Sequence, residues 1–127
     1  MNSKTILQTT SLVSLLLTLC HLTSDVLDQA PGHVKWPIPV IIYVVWLYGT
    51  LMLSERVAGY IIMFLGGLIA AGMIVLHSPG TVVGKSGGFF FVWTMFMLGM
   101  TGWFTAILAA RELWRVFRTR SSTQRAS

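Results

Sequence analysis

The sequence predicts an all-α fold, a four-helix transmembrane bundle running up-down-up-down with both termini in the cytoplasm. Three observations predict it. Only 10% of the 127 residues are charged and 54% are hydrophobic, against roughly 25% charged in an ordinary soluble domain, so the chain lacks the polar surface that water requires. Four apolar segments, at about 5–27, 37–53, 57–76 and 89–110, nearly exhaust the length, and each approaches the roughly 20 residues that cross a bilayer. Basic residues concentrate on one side of the alternation these segments define. The expected organisation is therefore one membrane domain over 1–118, followed by a flexible basic cytoplasmic tail over 119–127.

The first segment carries the most informative pattern. Thr10, Ser14, Thr18, His21, Asp25 and Asp28 follow at steps of four, four, three, four and three, which places them on one face of an α-helix. Leucines and valines cover the rest of the cylinder, as suits a helix that touches lipid on most sides and hides one polar stripe. Asp28, Pro31 and Gly32 stop it. Cys20, the single cysteine, follows Leu17-Thr18-Leu19 and so resembles the end of a bacterial lipoprotein signal. Leu19 is large where such a signal wants a small residue, and the segment is expected to be retained.

The connection 29–36 holds His33, Lys35 and Trp36; Trp36 is placed at headgroup level, where indoles concentrate. Pro37 opens the second segment at a first-turn position that tolerates it. Ser54-Glu55-Arg56 is so short a link that segments two and three must form an antiparallel hairpin. Segment three pairs Gly66 with Ala70 and Gly67 with Ala71, and segment four repeats Gly102, Ala106 and Ala110. Small residues four apart let two helix backbones approach closely in lipid. Segment three is expected to be central. Beyond segment four, Arg111, Arg115 and Arg118 form a basic face beside Trp114, suited to the lipid interface.

Outside the spans, Lys4, Arg56, Arg111, Arg115, Arg118, Arg120 and Arg125 fall on one side, against Lys35 and Lys85 on the other. That asymmetry puts the chain in the cytoplasmic membrane with both termini on the cytoplasmic side. Five of the nine basic residues lie beyond residue 110, so the net charge of +5 is expected to serve topology and anionic lipid, with no nucleic acid among the partners.

His21 with Asp25 is the sharpest candidate site, because at this spacing a carboxylate can fix an imidazole tautomer and leave its other nitrogen for a ligand or proton. Thr18 and Ser14 extend it, and His77 ends segment three on the same side. His21, Asp25, His33 and His77 are the candidate metal ligands, although no compact ligand spacing links them and the cofactor is undefined. Gly80 to Ser86 has three residues between its glycines where a phosphate loop needs four. Adjacent Glu55/Arg56 and Arg111/Glu112 are expected to pair at the surface. Three functions fit this pattern. The first is an accessory or interaction subunit packing through its small-residue faces against other membrane proteins or itself. A small transporter, channel or proton-coupled carrier using the stripe is the second, and a redox, metal or haem protein using His21 and His77 the third.

Overall fold

The computed structural model of the chain describes residues 2–28, 37–77 and 88–126. Within them four helices follow in order: α1 Ser3–Asp28, α2 Pro37–Met52, α3 Val57–His77 and α4 Gly88–Ala126. Asn2 starts α1 as a cap, its carbonyl accepting from the Ile6 N–H at 3.1 Å and its side chain from the Lys4 N–H at 3.4 Å, which satisfies donors that have no partner inside the helix. Pro37 stands at the first position of α2, where its missing N–H costs nothing. Between α2 and α3 the Arg56 N–H donates to the Leu53 carbonyl at 2.9 Å. Gly59 leaves room for that same carbonyl, which a Cβ would strike.

Three stretches, Ser3–Thr23, Val57–Val75 and Val92–Ser122, are long and apolar enough to cross a membrane. The fourth helix of the bundle, α2, is apolar but has 16 residues. At 1.5 Å each these reach about 24 Å, short of the roughly 30 Å hydrocarbon core. By contrast α4, with 39 residues, extends about 58 Å. It runs on through 119–126, where the sequence predicts a flexible tail. Continuing an existing helix fixes one residue per new hydrogen bond, without the cost of nucleation. Hydroxyls of Thr119 and Ser121 donate back to the Arg115 and Phe117 carbonyls, at 2.9 and 3.1 Å.

Neighbouring helices run antiparallel, and the contacts define the arrangement. α4 lies against both α3 and α1, while α2 sits in the groove between α1 and α3 and makes no backbone approach to α4 among the described residues. The closest approach joins α3 to α4. A Cβ on Gly67 would stand 2.7 Å from the Gly102 carbonyl oxygen and 2.8 Å from the Ala106 nitrogen, and one on Gly102 would stand 2.8 Å from the Gly67 carbonyl oxygen and 2.7 Å from the Ala71 nitrogen and the Ala70 methyl. The two glycines thus face each other's carbonyls, with no room for a side chain between the backbones. Gly66 does a different job: its bare backbone seats the Trp46 indole of α2. Segment three is central as far as it touches every other helix, but it shares that property with α1.

The core mixes apolar and hydroxyl side chains. Leu7, Leu15, Trp46, Tyr60, Met63 and Leu98 are buried, and so are Ser11, Ser14, His21, Thr50, Thr94, Thr105 and Glu112. The outward surface is made of large aliphatic and aromatic groups, with Leu16, Ile41, Val45, Leu65, Phe96 and Ile107 all exposed.

These packing distances separate two glycines of the same helix. Gly67→Ala places a methyl against backbone that has no room to move, and is expected to destabilise the protein by about 2 kcal/mol or more. Gly72→Ala meets nothing within 4 Å and is expected to be neutral or to add up to about 1 kcal/mol through helix propensity. Denaturant unfolding of the two purified variants in mild detergent checks the contrast.

Candidate functional site

The polar face of α1 turns inward, and its hydroxyls meet hydroxyls from two other helices. On the α2 side the Trp46 Nε1–H donates to Ser11 Oγ at 2.9 Å, Ser11 Oγ lies 2.8 Å from Thr50 Oγ1, and Thr50 Oγ1 donates to the Trp46 carbonyl at 2.9 Å. Each hydroxyl has one proton. Since that of Thr50 goes to the Trp46 carbonyl, that of Ser11 goes to Thr50, and the ring closes with every donor used. Gln8 Nε2 adds a bond to the Thr50 carbonyl at 3.2 Å, one helical turn below.

On the α4 side, Ser14 Oγ lies 3.2 Å from Thr105 Oγ1. Here acceptors outnumber protons. Ser14 also reaches the Thr10 carbonyl at 3.1 Å, and Thr105 the Thr101 carbonyl at 2.8 Å, so one of the three bonds lacks a proton at any instant. Thr10, Thr18, Thr94 and Thr101 donate to carbonyls of their own helices, of Ile6, Ser14, Phe90 and Met97 respectively. Such back-bonding makes serine and threonine inexpensive in an apolar medium.

At the end of the bundle that holds the N-terminus, Ser3 Oγ donates to Glu112 Oε1 at 2.9 Å, and Arg115 Nη1 donates to the same oxygen at 2.9 Å and to Ser3 Oγ at 3.2 Å. Glu112 is 7% exposed, and a nearly buried carboxylate needs such partners. The sequence pairs Glu112 with Arg111; the structure pairs it with Arg115. Adjacent helical residues point about 100° apart, whereas residues three apart share a face. Likewise Glu55 meets Lys4 of α1 at 3.8 Å where the sequence pairs it with Arg56. That contact is solvent-exposed and contributes little.

The predicted residues are therefore divided. Ser14, Thr18 and His21 lie on the inward face, with Ser14 and His21 fully buried. The register set by Ser3 with Glu112 and Ser14 with Thr105 puts His21 level with the α4 turn holding Thr94 and Leu98, two more buried residues. Asp25 and His77 are described as helical backbone only, and His33 and Trp36 lie outside the described residues. Among the described residues no three His, Cys, Asp or Glu side chains gather as a metal site would require. Gly66, Gly67, Ala70, Ala71, Gly102 and Ala106 are all buried within the chain's own helix contacts. Arg111, Trp114, Arg115 and Arg118 are exposed.

Sequence reasoning missed Ser11, Thr50 and Trp46 as one cluster, and missed the α4 face. A signal for the second existed: Thr94, Thr101, Thr105 and Glu112 recur at steps of seven, four and seven, a stripe complementary to that of α1. Beside Trp46 lie two crevices with apolar walls. One, of about 170 Å³, is bounded by Thr18, Ile42, Tyr43, Ala70 and Met73; the other, of about 220 Å³, by Ile41, Val45, Ile62, Leu65 and Gly66.

Fold and site together define a class: an all-α bundle of four helices, three of them able to cross a membrane, closed internally by a hydroxyl seam. Comparison with known protein families, curated proteins and solved structures finds no match to this chain.

The two hydroxyl contacts are expected to differ in strength. Ser11→Ala leaves the Trp46 N–H without its acceptor and opens the ring, and is expected to cost about 1–2 kcal/mol. Ser14→Ala removes a contact already short of a proton, and is expected to cost about 0.5 kcal/mol, the low end for a side-chain hydrogen bond. Unfolding free energies of the two variants test this; equal losses would contradict it.

Proposed function

We propose that the chain is a multi-pass protein of the cytoplasmic membrane, with both termini inside, and that it works as an accessory or interaction subunit. The observation that carries this reading is the pairing of its central polar groups with one another. Ser11, Thr50 and Trp46 close a ring, and Ser14 meets Thr105, so the stripe holds helices together where a carrier would line a path with it. Exposed leucine, isoleucine, valine and phenylalanine over the outside fit contact with lipid and with other membrane proteins. Seven basic residues against two support the orientation, with α2, apolar but shorter than the hydrocarbon core, completing the set of four spans where the bilayer thins locally around it.

The small residues of α3 and α4 refine the reading. They are used inside the chain, Gly67 against Gly102 and Ala106, so partners would meet the large apolar groups of the outer faces. Arg111, Arg118 and Trp114 then sit at the cytoplasmic headgroups, where each arginine near an anionic surface contributes about 1 kcal/mol.

Gentle solubilisation of native membranes followed by intact-complex mass spectrometry tests the proposal. The expected result is a defined complex of this chain with itself or other subunits, together with no proton or ion flux when the pure protein is reconstituted in liposomes. Flux that His21→Ala or Asp25→Asn abolishes in a folded protein would contradict it and favour the carrier.

A further inference from the structure

One face of α4 carries Phe89, Trp93, Phe96, Met100, Trp103, Ile107, Ala110, Trp114 and Phe117 at alternating steps of four and three. All nine are exposed. A seven-residue repeat of this kind fits the seam of a left-handed helix pair crossing at about 20°.

Indole depth points the same way. Trp93 and Trp114 are separated by about 31 Å along the helix, the thickness of a hydrocarbon core, so they mark its two interfaces as tryptophans commonly do. Trp103 has no such excuse. It lies eleven residues from Trp114, about 16 Å into the core, close to the midplane. Its side chain is 55% exposed, and its N–H has no hydrogen bond among the described residues. An indole N–H facing hydrocarbon is costly, whereas the ring face of the counterpart indole in a second copy, across a two-fold axis, can accept it.

We infer that two copies of this chain associate side by side through this face of α4, with Trp103 near the two-fold axis. The inference rests on the reading of α4 as a membrane span. Copies inserted in the same orientation meet by a two-fold axis along the membrane normal, which sets each residue of the seam opposite its own counterpart at equal depth. Trp93, Phe96, Met100, Trp103, Ile107, Trp114 and Phe117 leave between 46% and 71% of their surfaces exposed. With aromatic side chains burying 150–250 Å² each, the face offers about 800 Å² per copy, the area a stable pair uses. Glu112, by neutralising Arg115, removes one charge that would otherwise oppose the approach of two basic ends.

The test uses the full chain in native membranes, with Cys20→Ser as background and single cysteines introduced at Met100, Trp103 and Ile107. Leu16→Cys on α1 and Val44→Cys on α2, both at exposed positions, serve as controls. Disulfides form only where Cβ atoms come within about 4.5 Å, so mild oxidation is expected to give a band of twice the 14.1 kDa chain from at least one α4 position and from neither control. Trp103→Ala is expected to weaken association about tenfold or more in a concentration series by single-molecule photobleaching. Absence of the band at all three α4 positions, in protein that resists carbonate extraction, overturns the pairing and leaves the membrane reading intact. Equal bands from the controls, or an adduct of another mass, also overturn it. Release of the protein by carbonate would sink both.

Discussion

Burial between apolar helices leaves each polar side chain two options: its own backbone or a neighbouring helix. That constraint organises this molecule. Thr10, Thr18, Thr94 and Thr101 take the first option and bond within their own helices. Ser11, Ser14, Thr50, Thr105 and Trp46 take the second, and in doing so fix how α1 lies against α2 and α4. Slipping α1 by one turn would break the Ser11 ring, the Ser14 contact and the Ser3–Glu112–Arg115 triangle together, so the register is set at three heights along one helix.

The α3–α4 contact works by a different principle. No side-chain hydrogen bond is needed, because Gly67 and Gly102 remove the atoms that would keep the backbones apart, and dispersion over the approaching surfaces follows. α2 depends on both devices, hung from α1 by Trp46 and Thr50 and seated on α3 by Gly66. It lacks a contact with α4 among the described residues, and the apolar crevices lie along its sides. The element most open to rearrangement is thus the shortest helix, held at Trp46.

Much of this was legible in the residues. Composition and apolar length predicted four helices, and the hydroxyl spacing of the first segment predicted which face turns inward, since Ser14, Thr18 and His21 all lie on it. What one helix could not reveal is the partner of each hydroxyl. Ser11 sits one residue off the stripe, and its importance comes from Trp46 and Thr50, some 35 to 39 residues away. Pairing of neighbours in sequence misled for the ions, because Arg111 and Glu112 face different directions on a helix while Arg115 shares the face of Glu112. The end of α4 was obscured by composition, which reads Ser, Thr and Arg as unstructured without weighing the ready-made helix that precedes them.

Labelling from the lipid phase, residue by residue, tests the inward-facing hydroxyl seam most directly. A membrane-soluble carbene generated in reconstituted vesicles, with adducts located by mass spectrometry, is predicted to mark Leu12, Leu16, Ile41 and Val45 and to spare Ser11, Ser14, His21 and Thr105. Adducts on Ser14 and His21 as abundant as those on Leu16 would mean that the polar face of α1 looks out at lipid, and the arrangement derived from it would be wrong.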